Sequence, residues 1–475
     1  MKKVICTMLY ALLAMSLVAC SSKKESFDTN QNDSSQESDS ETNNETSSEE
    51  ETTQSEDESL GDADVDLGDA PYWDDDYDVP ETSTQPSTTQ PPTTQPPTTQ
   101  PPTTQPPTTQ PPTTKPPVAE KDPIEIERGV LYINSDEAWD IFDYDYYSFS
   151  KCIIADGVTY IKDEAFMDCS SIKEIVIPGS VKTIGKYAFN DCGKLEKVSL
   201  SKGLKTIGEN AFRSCYKLIQ INIPDSVTKI GSSAFASCIS LTGKITPGKV
   251  TVLEDNVFSN CPSITELVIP NTVTIIEDYA LEHCGGTTFT IPNGVTTIGN
   301  GAFYQTDMTQ LKIPNSVTTI GQEAFAGTEI NKLEISNSVK SIGAGAFSAC
   351  TELTEVVIPN SITTIENDTF SDCWSLTKVV LPESLIIIGD NAFESCRSLE
   401  EIVIPKNVTT ICQSAFLYCT DLKKVVLPES VTKIGAEVFC YMDRGYNSEI
   451  VIYGASGSYA EEYAIECGLE FVIMS

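Results

Sequence analysis

The residues best suited to chemistry in this 475-residue chain are its 16 cysteines and its single histidine. In a secreted protein, evenly spaced cysteines can indicate disulfides. Ten of them share one phase of a sequence repeat: Cys169, Cys192, Cys215, Cys238, Cys261, Cys284, Cys350, Cys373, Cys396 and Cys419. Stacked repeats would place each thiol between two equivalent neighbours, and Thr306 and Thr328 occupy the same phase. The pattern therefore favours buried, reduced thiols that act as small hydrophobic side chains, with disulfides as the alternative.

Metal binding and histidine-dependent catalysis have little support in the residue pattern. Metal sites use closely spaced cysteine pairs, and the sequence contains none. His283 lies in an irregular repeat, where Leu281 replaces a recurrent Phe, and this context favours a surface histidine. We therefore expect no metal, no cofactor and no catalytic residue. An enzyme would have to use paired carboxylates or an off-phase cysteine: Cys152, Cys412, Cys440 or Cys467.

These residues are positioned by a 23-residue repeat, Ile-Gly-x-x-Ala-Phe-x-x-Cys-x-x-Leu-x-x-Ile-x-Ile-Pro-x-Ser-Val-Thr-x. Its steps are 23 residues, except for three consecutive steps of 22 between Leu281 and Phe347. A fixed period of this size indicates a solenoid, in which each coil buries its apolar face against its neighbours. The Phe phase is occupied by Phe166, Phe189, Phe212, Phe235, Phe258, Leu281, Phe303, Phe325, Phe347, Phe370, Phe393, Phe416 and Phe439.

Each coil divides into three predicted parts. Leu-x-x-Ile-x-Ile has the spacing of a short strand, and the following Pro stops it because proline cannot donate to a ladder. Ser-Val-Thr then turns the chain, and Ile-Gly-x-x-Ala-Phe begins a short helical or 3₁₀ turn. The predicted fold is an α/β-type leucine-rich-repeat superhelix of about 12–13 coils of 22–23 residues. It has one parallel sheet, with the helical turns on the opposite face.

The signature Ala-Phe-x-x-Cys-x-x-Leu, over about residues 150–455, resembles the BspA-like family of bacterial surface proteins. That resemblance implies a secreted or anchored protein, often an adhesin that binds host matrix proteins or other microbes.

The N-terminus has the features of a lipoprotein signal peptide. Lys2 and Lys3 precede an apolar run, and Leu17-Val18-Ala19-Cys20 resembles the bacterial lipobox, whose cysteine becomes lipidated. Cys20 is thus the predicted lipid attachment site, and the predicted location is the extracellular face of the cell membrane. A plain secretory signal with a chance cysteine is the alternative.

The predicted domains follow shifts in composition. Residues 21–123 carry 24 Asp and Glu against 4 Lys, which predicts disorder, and their Thr-Thr-Gln-Pro-Pro repeats favour an extended stalk. Residues 124–475 carry a net charge of −20, which argues against nucleic acid and against anionic membranes, so membrane contact would occur only through the lipid anchor. The domains are a signal peptide (1–20), an acidic segment (21–83), a stalk (84–123), an N-terminal cap (124–160), the solenoid (161–452) and a C-terminal cap (453–475).

Within the C-terminal cap, Ser458 and Glu461 fit a capping box that opens a helix. Gly468 would end that helix, and Leu469–Ile473 could add a last strand.

The outward strand positions, which would face the concave side, are the candidate partner site. The first position alternates in charge: Glu355, Lys378, Glu401 and Lys424. The second position is apolar: Val357, Val380, Val403 and Val426. Ion-pair support and β-propensity would explain these residues without a partner. The alternative is a protein-binding patch for an extracellular protein, from host matrix or another microbe. Adhesin-like binding is the predicted function; a structural envelope or spacer protein and an enzyme with a concave-face site are the rivals.

Overall fold

The structure is a computed structural model that describes residues 121–474 except for 141, 144–147, 287, 442–444 and 447–448. The predicted signal peptide with Cys20, the acidic segment and nearly all of the predicted stalk lie outside the described residues. Among the residues that are described, no helix has the length and apolar character needed to cross a membrane.

One side of the solenoid, called the long-strand face, is built from the Leu-x-x-Ile-x-Ile segments. Apart from β1 and β2, which pair antiparallel, its strands pair in parallel with the same phase of the repeat in register, as in Glu174 opposite Lys197. The strands of this face are β1 (Ile124–Glu127), β2 (Val130–Ile133), β3 (Lys151–Ile154), β5 (Glu174–Ile177), β7 (Lys197–Leu200), β9 (Gln220–Ile221), β11 (Gly243–Ile245), β13 (Ile264–Leu267), β16 (Gln310–Lys312), β18 (Lys332–Glu334), β20 (Glu355–Val357), β22 (Lys378–Val380), β24 (Glu401–Val403), β26 (Lys424–Val426), β30 (Val451–Gly454) and β31 (Glu470–Ile473).

A second side carries two-residue parallel strands from the Val-Thr-x-Ile segments, such as Thr183–Ile184 opposite Thr206–Ile207. They are β4 (Tyr160–Ile161), β6 (Thr183–Ile184), β8 (Thr206–Ile207), β10 (Lys229–Ile230), β12 (Val252–Leu253), β14 (Ile275–Ile276), β15 (Thr297–Ile298), β17 (Thr319–Ile320), β19 (Ser341–Ile342), β21 (Thr364–Ile365), β23 (Ile387–Ile388), β25 (Thr410–Ile411) and β27 (Lys433–Ile434). Two further strands, β28 (Cys440–Tyr441) and β29 (Gly445–Tyr446), form an antiparallel hairpin.

The third side consists of turns. Two residues of each turn have positive φ, for example Asn210 (54°) and Ser214 (58°). Because the sign of φ changes along the turn, its N–H groups point toward the next coil. Those of Asn210, Phe212 and Ser214 donate to carbonyls of that coil at 2.8–2.9 Å. Where strands of the long-strand face pair, adjacent coils are therefore hydrogen-bonded on all three sides.

The predicted parallel-strand, leucine-rich-repeat solenoid is thus confirmed, with two differences in detail. There are parallel strands on two sides of the coil, where the sequence analysis expected a single sheet. The Ala-Phe segments form turns, and the described residues contain very little helix. The reason is that a helical turn would direct its N–H groups along its own coil, whereas the observed conformation directs them to the neighbouring coil.

The core is organised around a column of phenylalanines. Successive rings, from Phe166 to Phe258 and from Phe303 to Phe439, lie 5.1–5.7 Å apart and nearly parallel. At the N-terminal end, Trp139 of a 3₁₀ helix (Asp136–Asp140) meets Phe166 edge-on at 6.1 Å. At the C-terminal end, Tyr463 meets Phe439 edge-on at 6.1 Å. Both ends of the column are thus covered by aromatic side chains, as a solenoid core requires.

The C-terminal cap contains helix α1 (Tyr459–Cys467), which starts directly after Ser458 as predicted. Gly468 ends it in the left-handed conformation, and β31 is the predicted last strand. The predicted capping box is wrong, because the Ser458 side chain makes no capping hydrogen bond to the helix. The Ser458 hydroxyl donates to the Ala455 carbonyl at 2.6 Å, and the Glu461 carboxylate accepts from the Gly457 N–H at 2.6 Å.

The glycine of the recurrent Ile-Gly pair is required by the contact between coils. A Cβ atom on Gly208 would lie 2.6 Å from the carbonyl carbon and oxygen of Gly185 in the preceding coil. Real Cβ atoms do not approach backbone so closely, so an alanine there would force two hydrogen-bonded coils apart.

We expect Gly208→Ala to lower the free energy of unfolding by about 1–3 kcal/mol, the usual cost of overpacking. Chemical denaturation of the mature protein would measure this change. Gly193→Ala is the matched control, because its Cβ would meet only Tyr216, at 3.7 Å. Equal stability of the two variants would contradict the steric role of the Ile-Gly glycine.

Candidate functional site

The ten cysteines of the repeat are all buried and unpaired, in agreement with the favoured prediction. Most of their thiols donate to the carbonyl of the Phe in the preceding coil, as Cys192 does to Phe166 at 2.9 Å and Cys215 to Phe189 at 3.2 Å. Thr328 occupies the same phase, but its hydroxyl donates to the Phe325 carbonyl of its own coil at 2.8 Å and lies 3.3 Å from the Cys350 sulfur. A small thiol or hydroxyl thus fits this phase and usually bonds a buried carbonyl, although the Thr306 hydroxyl has no hydrogen-bond partner among the described residues.

The ten cysteines of the repeat are poorly suited to thiol chemistry. Burial raises the pKa of the Cys215 thiol well above 9, and that of Cys261 to about 12. A thiol that stays protonated is neither a nucleophile nor a metal ligand. Of the off-phase cysteines, Cys152 is buried, while Cys412 and Cys467 are partly exposed. The side chain of Cys440 lies outside the described residues, and no group of three potential metal ligands occurs in the part of the chain that is described.

His283 is a surface residue, as the sequence analysis favoured. It occupies the second positive-φ position of its turn, with φ of 49°, and histidine is one of the residue types enriched there. Its N–H donates to the Tyr304 carbonyl at 2.8 Å, and the two rings are 5.7 Å apart. These contacts give His283 a role in the turn ladder between coils.

The predicted charge ladder is present on the long-strand face. Glu355 lies opposite Lys378, with the ammonium nitrogen 3.6 Å from the carboxylate. Glu401 lies opposite Lys424 at 3.0 Å. Both pairs are largely exposed, so each contributes at most about 1 kcal/mol to stability. Lys424 also lies 6.0 Å from the centre of the Tyr453 ring.

The predicted apolar stripe lies beside those charges. Val357 is 58% exposed, Val380 41% and Val403 55%, while Val426 is partly buried. Their strands pair so that Val357 is opposite Val380 and Val403 opposite Val426. Three large apolar side chains therefore point into solvent from successive coils.

A cluster of carboxylates on the turn side was not found by sequence reasoning. The pKa of Glu394 is raised to about 7, mainly by burial and also by the charges of Asp372 and Asp368. Asp368 accepts a hydrogen bond from the Asn391 amide at 3.1 Å, and Asp372 accepts one from the Trp374 indole at 3.1 Å. These residues come from adjacent coils at different phases of the repeat, so no spacing in the sequence marks them as neighbours.

Comparison with known proteins agrees with this architecture. The family described as "BspA type Leucine rich repeat region (6 copies)" matches residues 140–265, 251–330 and 318–444. Because these matches cover more than half of the chain, it belongs to this family of leucine-rich-repeat proteins. No match is found among curated proteins.

This chain is also similar to proteins of solved structure. A leucine-rich repeat protein from Bacteroides ovatus is 30% identical, covering 75% of this chain and 91% of its own, with a TM-score of 0.63. A leucine rich cell surface protein from Faecalibacterium prausnitzii is 26% identical, covering 72% of this chain and 95% of its own, with a TM-score of 0.44.

The Glu394 carboxyl gives a testable pH dependence. Its pKa of about 7 in the folded state exceeds the ordinary 4.5, so stability falls as pH rises through that interval. After allowance for solvent screening, we expect Glu394→Gln to raise the free energy of unfolding by about 1–2 kcal/mol at pH 8. This gain should vanish below about pH 4.5, where Glu394 is protonated in both states.

Denaturant melts between pH 4 and pH 8 would measure the difference. Substitution of the exposed neighbour Glu400→Gln is the control and should leave the pH profile unchanged. A Glu394→Gln effect that does not vary with pH would contradict the assignment.

Proposed function

We propose that this chain is a lipid-anchored cell-surface protein that presents a protein-binding sheet on an extended stalk. The observation that carries the proposal is the stripe of exposed valines at Val357, Val380 and Val403. Contiguous exposed apolar side chains rimmed by polar residues are typical of interaction sites. The rim here consists of the charged residues of the same strands: Glu355, Lys378, Glu401 and Lys424.

The fold itself does not demand valine at this phase. The same outward position carries Ser199 and Asn222 in early coils, and Lys312 and Glu334 in central coils. All of these coils stack as the valine-bearing coils do, so β-propensity alone does not explain the stripe. Several adjacent coils could supply the roughly 800 Å² that each partner buries in a specific interface. The proposed occupant is an extracellular protein, from host matrix or another microbe.

The anchor is inferred from the sequence alone. Two acyl chains on the N-terminal cysteine would hold the protein stably, because each buried methylene contributes about 0.8 kcal/mol. The acidic segment and the Pro-rich repeats would then carry the solenoid away from the membrane surface.

For the anchor, we expect metabolic labelling with a palmitate analogue to mark the protein and Cys20→Ser to abolish the label. The variant should also leave the membrane fraction. Cys6→Ser, which replaces another cysteine of the apolar segment, is the control and should label normally. Undiminished labelling of Cys20→Ser would rule out the predicted lipid attachment site.

For the binding face, we expect the double substitution Val380→Asp, Val403→Asp to weaken adhesion to matrix-coated surfaces at least tenfold, measured with cells displaying the full chain. In the complex with the partner, each Asp would replace an apolar contact that contributes about 1.5–3 kcal/mol to the binding free energy. The fold should persist, because both side chains point into solvent.

Ser199→Asp, Asn222→Asp is the matched control, because it adds the same charge at the same phase in two other adjacent coils. If adhesion is unchanged by the valine substitutions, the partner binds elsewhere. If the full chain adheres to none of the matrix proteins or microbial cells tested, the spacer function is favoured.

A further inference from the structure

A cleft of about 390 Å³ opens on the long-strand face, directly beside the valine stripe. It lies between β18 and β20. Its apolar lining includes Leu333, Ile335 and Val357, and its charged lining consists of Lys332, Glu334 and Glu355. This volume is at the lower end of the range for ligand pockets.

The cleft arises where the repeat changes length. In the last 22-residue coil, Ser336, the residue that follows the strand segment, lies eleven positions after Phe325. In the next coil, which has 23 residues, the equivalent Pro359 lies twelve positions after Phe347. The two strand segments therefore start at different distances from the Phe column. In the described structure β18 pairs with β16 and β20 pairs with β22, but no ladder joins β18 to β20. A ladder is likewise missing between β22 and β24, which belong to coils of equal length.

At the cleft, apolar side chains at inward phases are less buried than in most other coils. Leu333 and Ile335 occupy inward phases but are only partly buried. The equivalent residues one coil earlier, Leu311 and Ile313, are 3% and 2% exposed. The cleft thus has an aliphatic floor that a side chain of a partner could cover, with a gain from buried apolar area.

The two carboxylates at the rim of the cleft, Glu334 and Glu355, differ in how readily they can bind a cation from a partner. Glu334 is held by Lys312 at 3.1 Å and by Lys332 at 3.3 Å, and the hydrogen bond from Lys312 is the main reason that its pKa is lowered. Glu355 has a single, longer contact of 3.6 Å with Lys378, and both side chains are about two-thirds exposed. Such an exposed pair is weak, so a second cation can compete for Glu355.

We propose that this cleft receives a lysine or arginine side chain of a basic protein partner, whose methylenes cover Leu333, Ile335 and Val357 while its charged group binds Glu355. This inference rests on the proposed function, because Val357 belongs both to the valine stripe and to the cleft. Long side chains bury their stems on apolar surface and keep their charges at the rim. The net charge of −20 on residues 124–475 would also attract a basic partner.

The test uses a defined probe, a fluorescent eight-residue peptide of alternating Val and Lys, added to the full mature chain. Fluorescence anisotropy at about 0.15 M salt, where exposed charges are screened beyond about 8 Å, measures its affinity. We expect Glu355→Gln and the isosteric Val357→Thr to weaken binding at least fivefold each. The matched variants Glu266→Gln and Val268→Thr, at the same phases of an earlier coil outside the proposed binding face, should change it less than twofold. A peptide with norleucine in place of Lys should not bind.

Equal losses for Glu355→Gln and Glu266→Gln would overturn the inference, because the peptide would then follow the overall charge. Binding of the norleucine peptide would show that the cleft selects apolar groups, and absence of any peptide binding would also refute the proposal. None of these results depends on matrix adhesion. Failure of the cleft therefore stays distinguishable from failure of the proposed function, which is decided by the Val380 and Val403 substitutions.

Discussion

The structure depends on the regular stacking of adjacent coils around the Phe column, whose successive ring centres lie 5.1–5.7 Å apart. Backbone hydrogen bonds join neighbouring coils on both strand sides and along the turns. Because all three sides share this spacing, a Cβ atom on Gly208 would lie 2.6 Å from the carbonyl of Gly185. At the Cys phase, most thiols reach the Phe carbonyl one coil away, as Cys192 does, whereas the Thr328 hydroxyl bonds the Phe325 carbonyl of its own coil.

Two irregularities of the repeat change the local packing. Leu281 leaves a gap in the Phe column, and Phe289 packs edge-on against Phe303 at 5.6 Å beside it. The return from 22 to 23 residues falls between β18 and β20, which share no ladder in the described structure, and Leu333 is only partly buried there. A solenoid transmits little strain beyond adjacent coils, since each coil contacts only its neighbours. One missing residue can therefore create a local cleft while the Phe column continues past it.

The chemistry-bearing residues serve mainly to join coils. The ladder cysteines donate to buried carbonyls, and His283 occupies a turn position that favours its backbone conformation. The distinctive chemical surface is instead on the long-strand face, where Glu355 and Lys378 flank exposed valines. An interaction surface spread over several coils suits this fold, because aligned side chains recur at strand spacing.

Much of this architecture follows from the sequence by itself. The period, the Phe column, the buried cysteine phase and the outward valines could all be predicted, because inward and outward side chains repeat with fixed spacing. The tertiary structure decided the rest. Side-chain periodicity does not report the sign of φ, so the turns at Asn210 and Ser214 were mistaken for helical ones. Nor does it report which residues of different coils meet, so the raised pKa of Glu394 beside Asp372 and the cleft at Glu355 became visible only when the coils were stacked.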